Sequence, residues 1–178
     1  EKAIAEADFV IAQLEIANET IEEAFELAKK HGTKTVLNPA PAKTLPQKLL
    51  ELTDVIVPNE TETELLTGFP ADTEANLQNN VDVYLALGIQ TVLITEGSAG
   101  SFWANASGSG FVPAYKVDAV DTTAAGDTFI GALFSQLDSD LTNLPEAMLF
   151  SNKASSLTVQ KFGAQDAIPL LAEVEAAK

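Results

Sequence analysis

A chain of 178 residues without a cysteine excludes disulfides, thiolate metal centres and cysteine nucleophiles, and its length suits one globular domain with a sizeable core. Its 46% apolar content marks a folded rather than a disordered chain, and the missing cysteine suits a reducing, cytoplasmic setting. A formal net charge of −16 with no basic run opposes nucleic acid and anionic membranes, but it leaves room for a small phosphorylated ligand held by backbone amides and metal ions.

Residues 1–6 read as the tail of a helix, without signal-peptide organisation, and no apolar run is long enough to span a bilayer. Residues 8–14 hold an apolar run too continuous for a one-sided surface strand, which predicts a parallel strand buried on both faces and ending at Glu15. Asn18 is expected to cap a helix with Ile21, Ala24, Phe25 and Ala28 on its apolar face and Gly32 past its end. His31, the single histidine, falls in the last turn, where it suits the helix dipole better than a metal. Residues 34–38 form a second strand, and Pro39 and Pro41 force an extended exit. Pro46 starts a short helix through Leu49, Leu50 and Leu52.

A third strand over 54–57 is stopped by Pro58. If Asn59 caps the helix that follows, its side chain and that of Glu62 point toward the same helix end, which is a capping arrangement in its own right. A helix over 73–87, closed by Gly88, leads to a fourth buried strand at 91–95. Residues 97–100 then turn the chain into 101–104, and 107–110 turn it into 111–115, giving a hairpin in which Trp103 packs.

Val117, Ala119 and Val120 read as the end of an extended segment. The run Asp121-Thr122-Thr123-Ala124-Ala125-Gly126-Asp127 then opens a helix whose apolar positions are Phe129, Ile130, Leu133, Phe134 and Leu137. First-turn amides lack intrahelical partners and carry the positive end of the macrodipole, so Ala124, Ala125 and Gly126 form a potential anion cradle that their small side chains leave open. Asp127 is then suited to take a proton from a hydroxyl attacking a bound phosphate. The competing reading makes Thr123 an ordinary N-cap and Asp127 an ordinary dipole-complementing acid. A helix from Leu144-Pro145 to Thr158, a loop at 161–166 and a last helix begun by Ile168 and Pro169 complete the chain.

Alternating apolar strands and helices predict an open, mostly parallel, doubly wound α/β sheet with helices on both faces and a ligand crevice at the strand C-terminal ends. The run at 121–129 resembles the C-terminal signature of the ribokinase-like sugar kinase family. Gln13-Leu14-Glu15, Asn38-Pro39-Ala40-Pro41-Ala42, Val57-Pro58-Asn59-Glu60-Thr61-Glu62, Leu93-Ile94-Thr95-Glu96-Gly97-Ser98 and Lys161-Phe162-Gly163-Ala164-Gln165 resemble family segments in the same order. The resemblance extends over nearly the whole chain, and the substantial N-terminal portion of such kinases, with its sugar lid, is absent. Residues 1–178 are therefore expected to be a single domain, the C-terminal nucleotide-binding and catalytic portion of that fold.

The resemblance implies transfer of the γ-phosphoryl group of ATP to a sugar hydroxyl, the 5-hydroxyl of ribose in the first place. It makes Asp127 the base beside the sugar, Ala124 to Gly126 the anion donors and Glu15 a contact to sugar hydroxyls. Asn59 and Glu62 would organise magnesium and water around the phosphates, while Thr95, Gly97, Ser98 and Asn152 would contact the nucleotide. Asp121, and Thr123 through its backbone carbonyl, would hold a monovalent cation, chiefly potassium. Such a portion is expected to be inactive by itself and to self-associate or to pair with a complementary N-terminal segment. The alternative from another class is a non-catalytic nucleotide-binding remnant, or half of a split protein that works only with a partner chain.

Overall fold

The computed structural model describes residues 1–177. They fall into two compact units, the first made of residues 1–96 and 102–109 and the second of residues 97–101 and the chain from 110 onward. Chain order gives α1 (Lys2–Ala5), β1 (Phe9–Gln13), α2 (Asn18–His31), β2 (Lys34–Asn38), α3 (Gln47–Glu51), β3 (Val55–Ile56), α4 (Glu60–Thr67), α5 (Glu74–Ala86) and β4 (Thr91–Thr95). After β5 (Gly100–Asn105) and β6 (Gly108–Pro113) come α6 (Ala125–Gln136), α7 (Leu144–Thr158), a 3-10 turn (Gln165–Ala167) and α8 (Leu171–Ala176). No helix among the described residues is long and apolar enough to cross a membrane.

The six strands lie in the sheet in the order in which they occur in the chain, and β1 to β4 pair in parallel. Only Ala106 and Ser107 join β5 to β6, too short a link for a parallel crossover, so these two run antiparallel. The result is the open, mostly parallel α/β sheet expected from the sequence. At the turn, Asn105 Oδ1 accepts from the Ser107 amide at 2.8 Å, which leaves the glycines at 108 and 110 inside β6 rather than in the turn predicted at 107–110. Gly100 is needed where these strands approach, because a Cβ there would meet the Val112 carbonyl oxygen at 2.2 Å.

In α2 the apolar spacing buries Ile21, Phe25 and Ala28 on one face, and Gly32 ends the helix in the left-handed conformation. The cap position is Ala17, not Asn18, which is the first helical residue and makes no capping bond. Ile21, Phe25, Leu37 and Leu49 form one apolar cluster, and Ile56, Leu77, Val81, Tyr84 and Ile94 another. Leu50 and Leu66 pack on both, so α2, α3, α4 and α5 share a continuous apolar layer in the first unit.

Strand β1 departs from the expected burial on two faces. Val10 and Ala12 pack toward the α2–α3 cluster, whereas Ile11, on the opposite face, is 41% exposed. The strand is outermost in the sheet, and this second face is only partly covered. Residues 114–120 also form no strand: the amides of Val120 and Asp121 both donate to the Val159 carbonyl, so this segment is held by the end of α7. The last helix begins at Leu171, after Ile168 and Pro169 rather than at them.

In the second unit α6 and α7 pack together. Ser155 Oγ donates to the Ala125 carbonyl at 3.0 Å, and the hydroxyls of Thr158 and Thr128 meet at 3.0 Å, which fixes the N-terminal end of α6 against the C-terminal end of α7.

Candidate functional site

The start of α6 is made by a backbone reversal. Ala124, the cap residue, is left-handed at φ 61 and makes no side-chain capping bond to the first turn. Thr123 does not cap the helix because its hydroxyl and amide both donate to Asp121 Oδ1, at 2.6 and 2.9 Å. The Ala125 amide donates to the Thr122 carbonyl at 3.2 Å, which leaves Ala124 and Gly126 as the better-suited anion donors of the predicted three. A Cβ on Gly126 would meet no protein atom within 4 Å, so the space beside that backbone is open to a ligand. Asp127 lies in the first turn, exposed, on the rim of a cavity of about 260 Å³ lined further by Phe150, Ile168 and Val174.

Asp121 anchors the approach to this helix. Its Oδ2 accepts from the Gly163 amide at 3.1 Å, which ties the loop before α6 to the loop after α7. The Thr123 hydroxyl, the Thr123 amide and the Gly163 amide all donate to the carboxylate and hold it below the usual range. Gly163 is a partner that sequence reading missed; the resemblance of 161–165 pointed to this loop but not to the bond.

Gly97, Ser98 and Asn152 come together, with Thr122 and Ala125, around a cleft of about 490 Å³, within the size range of small-molecule sites. Tyr115 and Lys116 also line it, and no motif announced them. Asn152 is only 7% exposed, and its amide is well used: Nδ2 donates to the carbonyls of Val112 and Pro113 at 3.0 and 3.3 Å, while Oδ1 accepts from the Ser101 hydroxyl at 3.2 Å. It therefore shapes the wall of the cleft by fastening α7 to the ends of β5 and β6.

The first unit carries the other predicted residues. Asn59 and Glu62 form a complete capping box on α4. The Glu62 amide donates to Asn59 Oδ1 at 2.9 Å, the Asn59 amide donates to Glu62 Oε2 at 2.9 Å, and Asn59 Nδ2 donates to Glu62 Oε1 at 3.0 Å. Glu62 is 5% exposed, and burial pushes its carboxyl above the usual range despite the Asn59 amide. Thr95 is adjacent: it forms a bridge with Asn59, and its amide donates to the Pro58 carbonyl at 3.0 Å. Next to it, burial and the charge of Glu60 raise the Glu96 carboxyl.

Glu15 is exposed just beyond the C-terminal end of β1. The backbone before it is pinned on both sides, since the Leu14 amide donates to the Ala40 carbonyl at 2.8 Å and the Leu14 carbonyl accepts from Lys43 Nζ at 3.2 Å. Glu15, Asn59, Glu62 and Thr95 thus belong to the first unit, and Gly97, Ser98, Asp121, residues 123–127 and Asn152 to the second.

Comparison with known proteins identifies the family and the fold. The chain is 58% identical over 172 residues to a ribokinase of Staphylococcus aureus, covering 97% of this chain and 57% of that protein. It is 52% identical over 167 residues to a bifunctional ribokinase/ribose-5-phosphate isomerase A of Fructilactobacillus sanfranciscensis, covering 94% of this chain and 31% of that one. Its fold matches the structure of Arabidopsis thaliana ribokinase complexed with ribose and ATP with a TM-score of 0.91 at 30% identity, over 98% of this chain and 56% of the other. The chain spans just over half the length of the Staphylococcus and Arabidopsis proteins. With the family model for pfkB family carbohydrate kinases matching residues 1–171, the chain belongs to the pfkB family of carbohydrate kinases.

Proposed function

We propose that these residues are the nucleotide-binding and catalytic portion of a ribokinase, which transfers the γ-phosphoryl group of ATP to the 5-hydroxyl of ribose. The observation that carries the reading is the start of α6, where a left-handed Ala124 leaves the first turn without a side-chain cap and puts Asp127 beside open backbone. The identities to ribokinases and the fit to a ribokinase complexed with ribose and ATP support the choice of sugar and nucleotide.

In this reading Asp127 accepts the proton of the attacking hydroxyl as the sugar oxygen bonds to the γ-phosphorus and the bond to the β–γ bridging oxygen breaks, releasing ADP. The amides at the start of α6 steady the charge on the transferring group. In the second unit Gly97, Ser98 and the wall held by Asn152 are assigned to the nucleotide; in the first unit Asn59 and Thr95 are assigned to nucleotide contacts and Glu15 to sugar hydroxyls. Both Glu62 oxygens already accept from Asn59, so this pair suits magnesium reached through the ion's own waters. The Asp121 carboxylate accepts three hydrogen bonds and keeps acceptor capacity for potassium, with the Thr123 carbonyl as a second donor. When bound, magnesium neutralises phosphate charge and potassium adds positive charge near the anion cradle. Glu15 and Asp127 are the two described residues assigned to sugar hydroxyls, and we take the 178 residues by themselves to bind ribose too weakly for efficient turnover.

The test is made on the product of the whole reading frame, assayed with ATP against ribose, 2-deoxyribose, fructose and adenosine. Ribose is expected to be the best acceptor. Asp127→Asn should lower kcat by about 10²- to 10⁴-fold while calorimetric nucleotide affinity holds. Activity should rise with potassium more than with sodium, and Asp121→Ala should abolish that dependence. Unchanged turnover in Asp127→Asn, or parallel loss of nucleotide affinity, removes Asp127 as the base; potassium-independent turnover of the unmodified protein removes the cation site.

A further inference from the structure

Beneath the first unit's share of the site lies a chain of hydrogen bonds that joins three strands at their C-terminal ends. Gln13 Nε2, at the end of β1, donates to Asn38 Oδ1 at 2.8 Å, and Asn38 Nδ2, at the end of β2, donates to the carbonyl of Val57, just past β3, at 2.6 Å. The orientation of the Asn38 amide is forced, because a backbone carbonyl can only accept; Nδ2 must face Val57 and Oδ1 must face Gln13. The Val57 amide in turn donates to the Leu37 carbonyl at 2.9 Å, so Val57 is held to β2 through both of its backbone polar groups.

Asn38 is 8% exposed and follows the fully buried Val36 and Leu37. An amide there carries a desolvation cost that an aliphatic side chain would avoid, unless both of its ends are used. Both are used, and in opposite directions along the sheet. The two partners share one property: Glu15 lies two residues after Gln13, and Asn59 lies two residues after Val57. One side of the amide thus fixes the exit that carries the proposed sugar contact. The other fixes the exit that carries the proposed nucleotide and magnesium contact.

We propose that Asn38 is a positioning residue that sets the spacing between the sugar side and the nucleotide side of the site, acting through Gln13 on Glu15 and through Val57 on Asn59. The inference rests on the kinase reading given above. It yields a pattern that a merely structural amide would not give, because the two halves of the bond chain can be cut separately. Gln13→Met removes the donor to Asn38 and leaves the Val57 bond. Asn38→Asp keeps an acceptor for Gln13 but sets a carboxylate oxygen against the Val57 carbonyl. Asn38→Leu removes both bonds while filling similar space.

The product of the whole reading frame is assayed for KM and kcat with ribose and with ATP in the presence of magnesium, and calorimetry measures binding of each ligand separately. Gln13→Met should weaken ribose, in both KM and binding, by about two- to tenfold, the range one neutral hydrogen bond carries, with ATP unchanged. Asn38→Asp should weaken ATP by a similar factor with ribose little changed, and Asn38→Leu should weaken both. Variants that lose thermal stability while keeping both ligand affinities would reduce Asn38 to a structural role and overturn the proposal. Should Asn38→Asp fail to fold, Gln13→Met, on a half-exposed strand end, decides the sugar half by itself. A separate failure is visible before any variant is made: an unmodified protein that phosphorylates no sugar defeats the kinase reading, and the proposal falls with it.

Discussion

Asp54, in the turn before β3, is mostly buried, and burial raises its pKa; but Lys29 donates to one oxygen and the Thr35 amide and hydroxyl to the other, at 3.0 and 3.1 Å. The donors together prevail, and the carboxyl is held below its usual range. A depressed folded-state value contributes stability that is complete above the unfolded value of about 3.9 and is lost as pH falls through the lower folded value. Asp54→Asn should therefore cost about 1–3 kcal/mol at neutral pH, and urea melts of the two proteins should converge once pH drops below the folded value. A gap that persists unchanged in acid would show that the loss comes from geometry rather than charge. Other polar residues differ in how far they could be read in advance. Asn59 and Glu62 were legible because a capping box is a local pattern with a fixed spacing. Asn18 was not, because whether an Asn sits at the cap or one step inside it depends on the backbone angle of its neighbour. The competing reading of Thr123 as an N-cap fails because its hydroxyl is taken by Asp121, whose other oxygen is tied to Gly163 across 42 residues of chain.

Helix α4 is the element on which the local rules can be set against their surroundings. Asn and Asp are normally near-equal caps, and replacing such a cap by Ala costs about 0.5–2 kcal/mol. Here the Asn59 side chain also donates to Glu62 at 3.0 Å, a bond that a carboxylate cannot make. Asn59→Asp should therefore destabilise the chain at pH 7 by about as much as Asn59→Ala, despite the usual ranking, and recover in part when acid protonates one of the two carboxyls. Equal stability of Asn59→Asp and the parent across pH would refute this account of the box. Elements with a clean period, such as α2, were legible from apolar spacing, and the parallel strands from their continuous apolar runs. What holds the extended stretch ending at Val120 was not, since the Val120 and Asp121 amides bond the distant Val159 carbonyl instead of a sheet partner. The start of α6 was legible as a helix opening, whereas its left-handed Ala124 was hidden, because such a conformation is expected of glycine rather than alanine.

At the scale of the whole molecule, the sheet leaves β1 outermost, with Ile11 41% exposed on its outer face. Unpaired strand edges and open apolar faces favour pairing with a second chain. The 178-residue chain should show concentration-dependent association by light scattering, and Ile11→Lys should suppress it; a monodisperse monomer at high concentration would contradict the expectation. The strand order has a different consequence, which concerns the time course of synthesis. Because position in the sheet follows position in the chain, no strand waits for a later one to be threaded between it and its neighbour. A nascent chain that has emerged through β2 contains both partners of the β1–β2 pair, and β3 and β4 each add to an edge whose strand precedes them in the chain. The cluster around Tyr84 is complete only when β5 supplies Phe102 and Ala104, and both precede the loop that leads to Asp127 in the chain. A chain that has emerged as far as β5 can therefore complete the scaffold that carries Glu15, Asn59 and Glu62 while the proposed base is still to emerge.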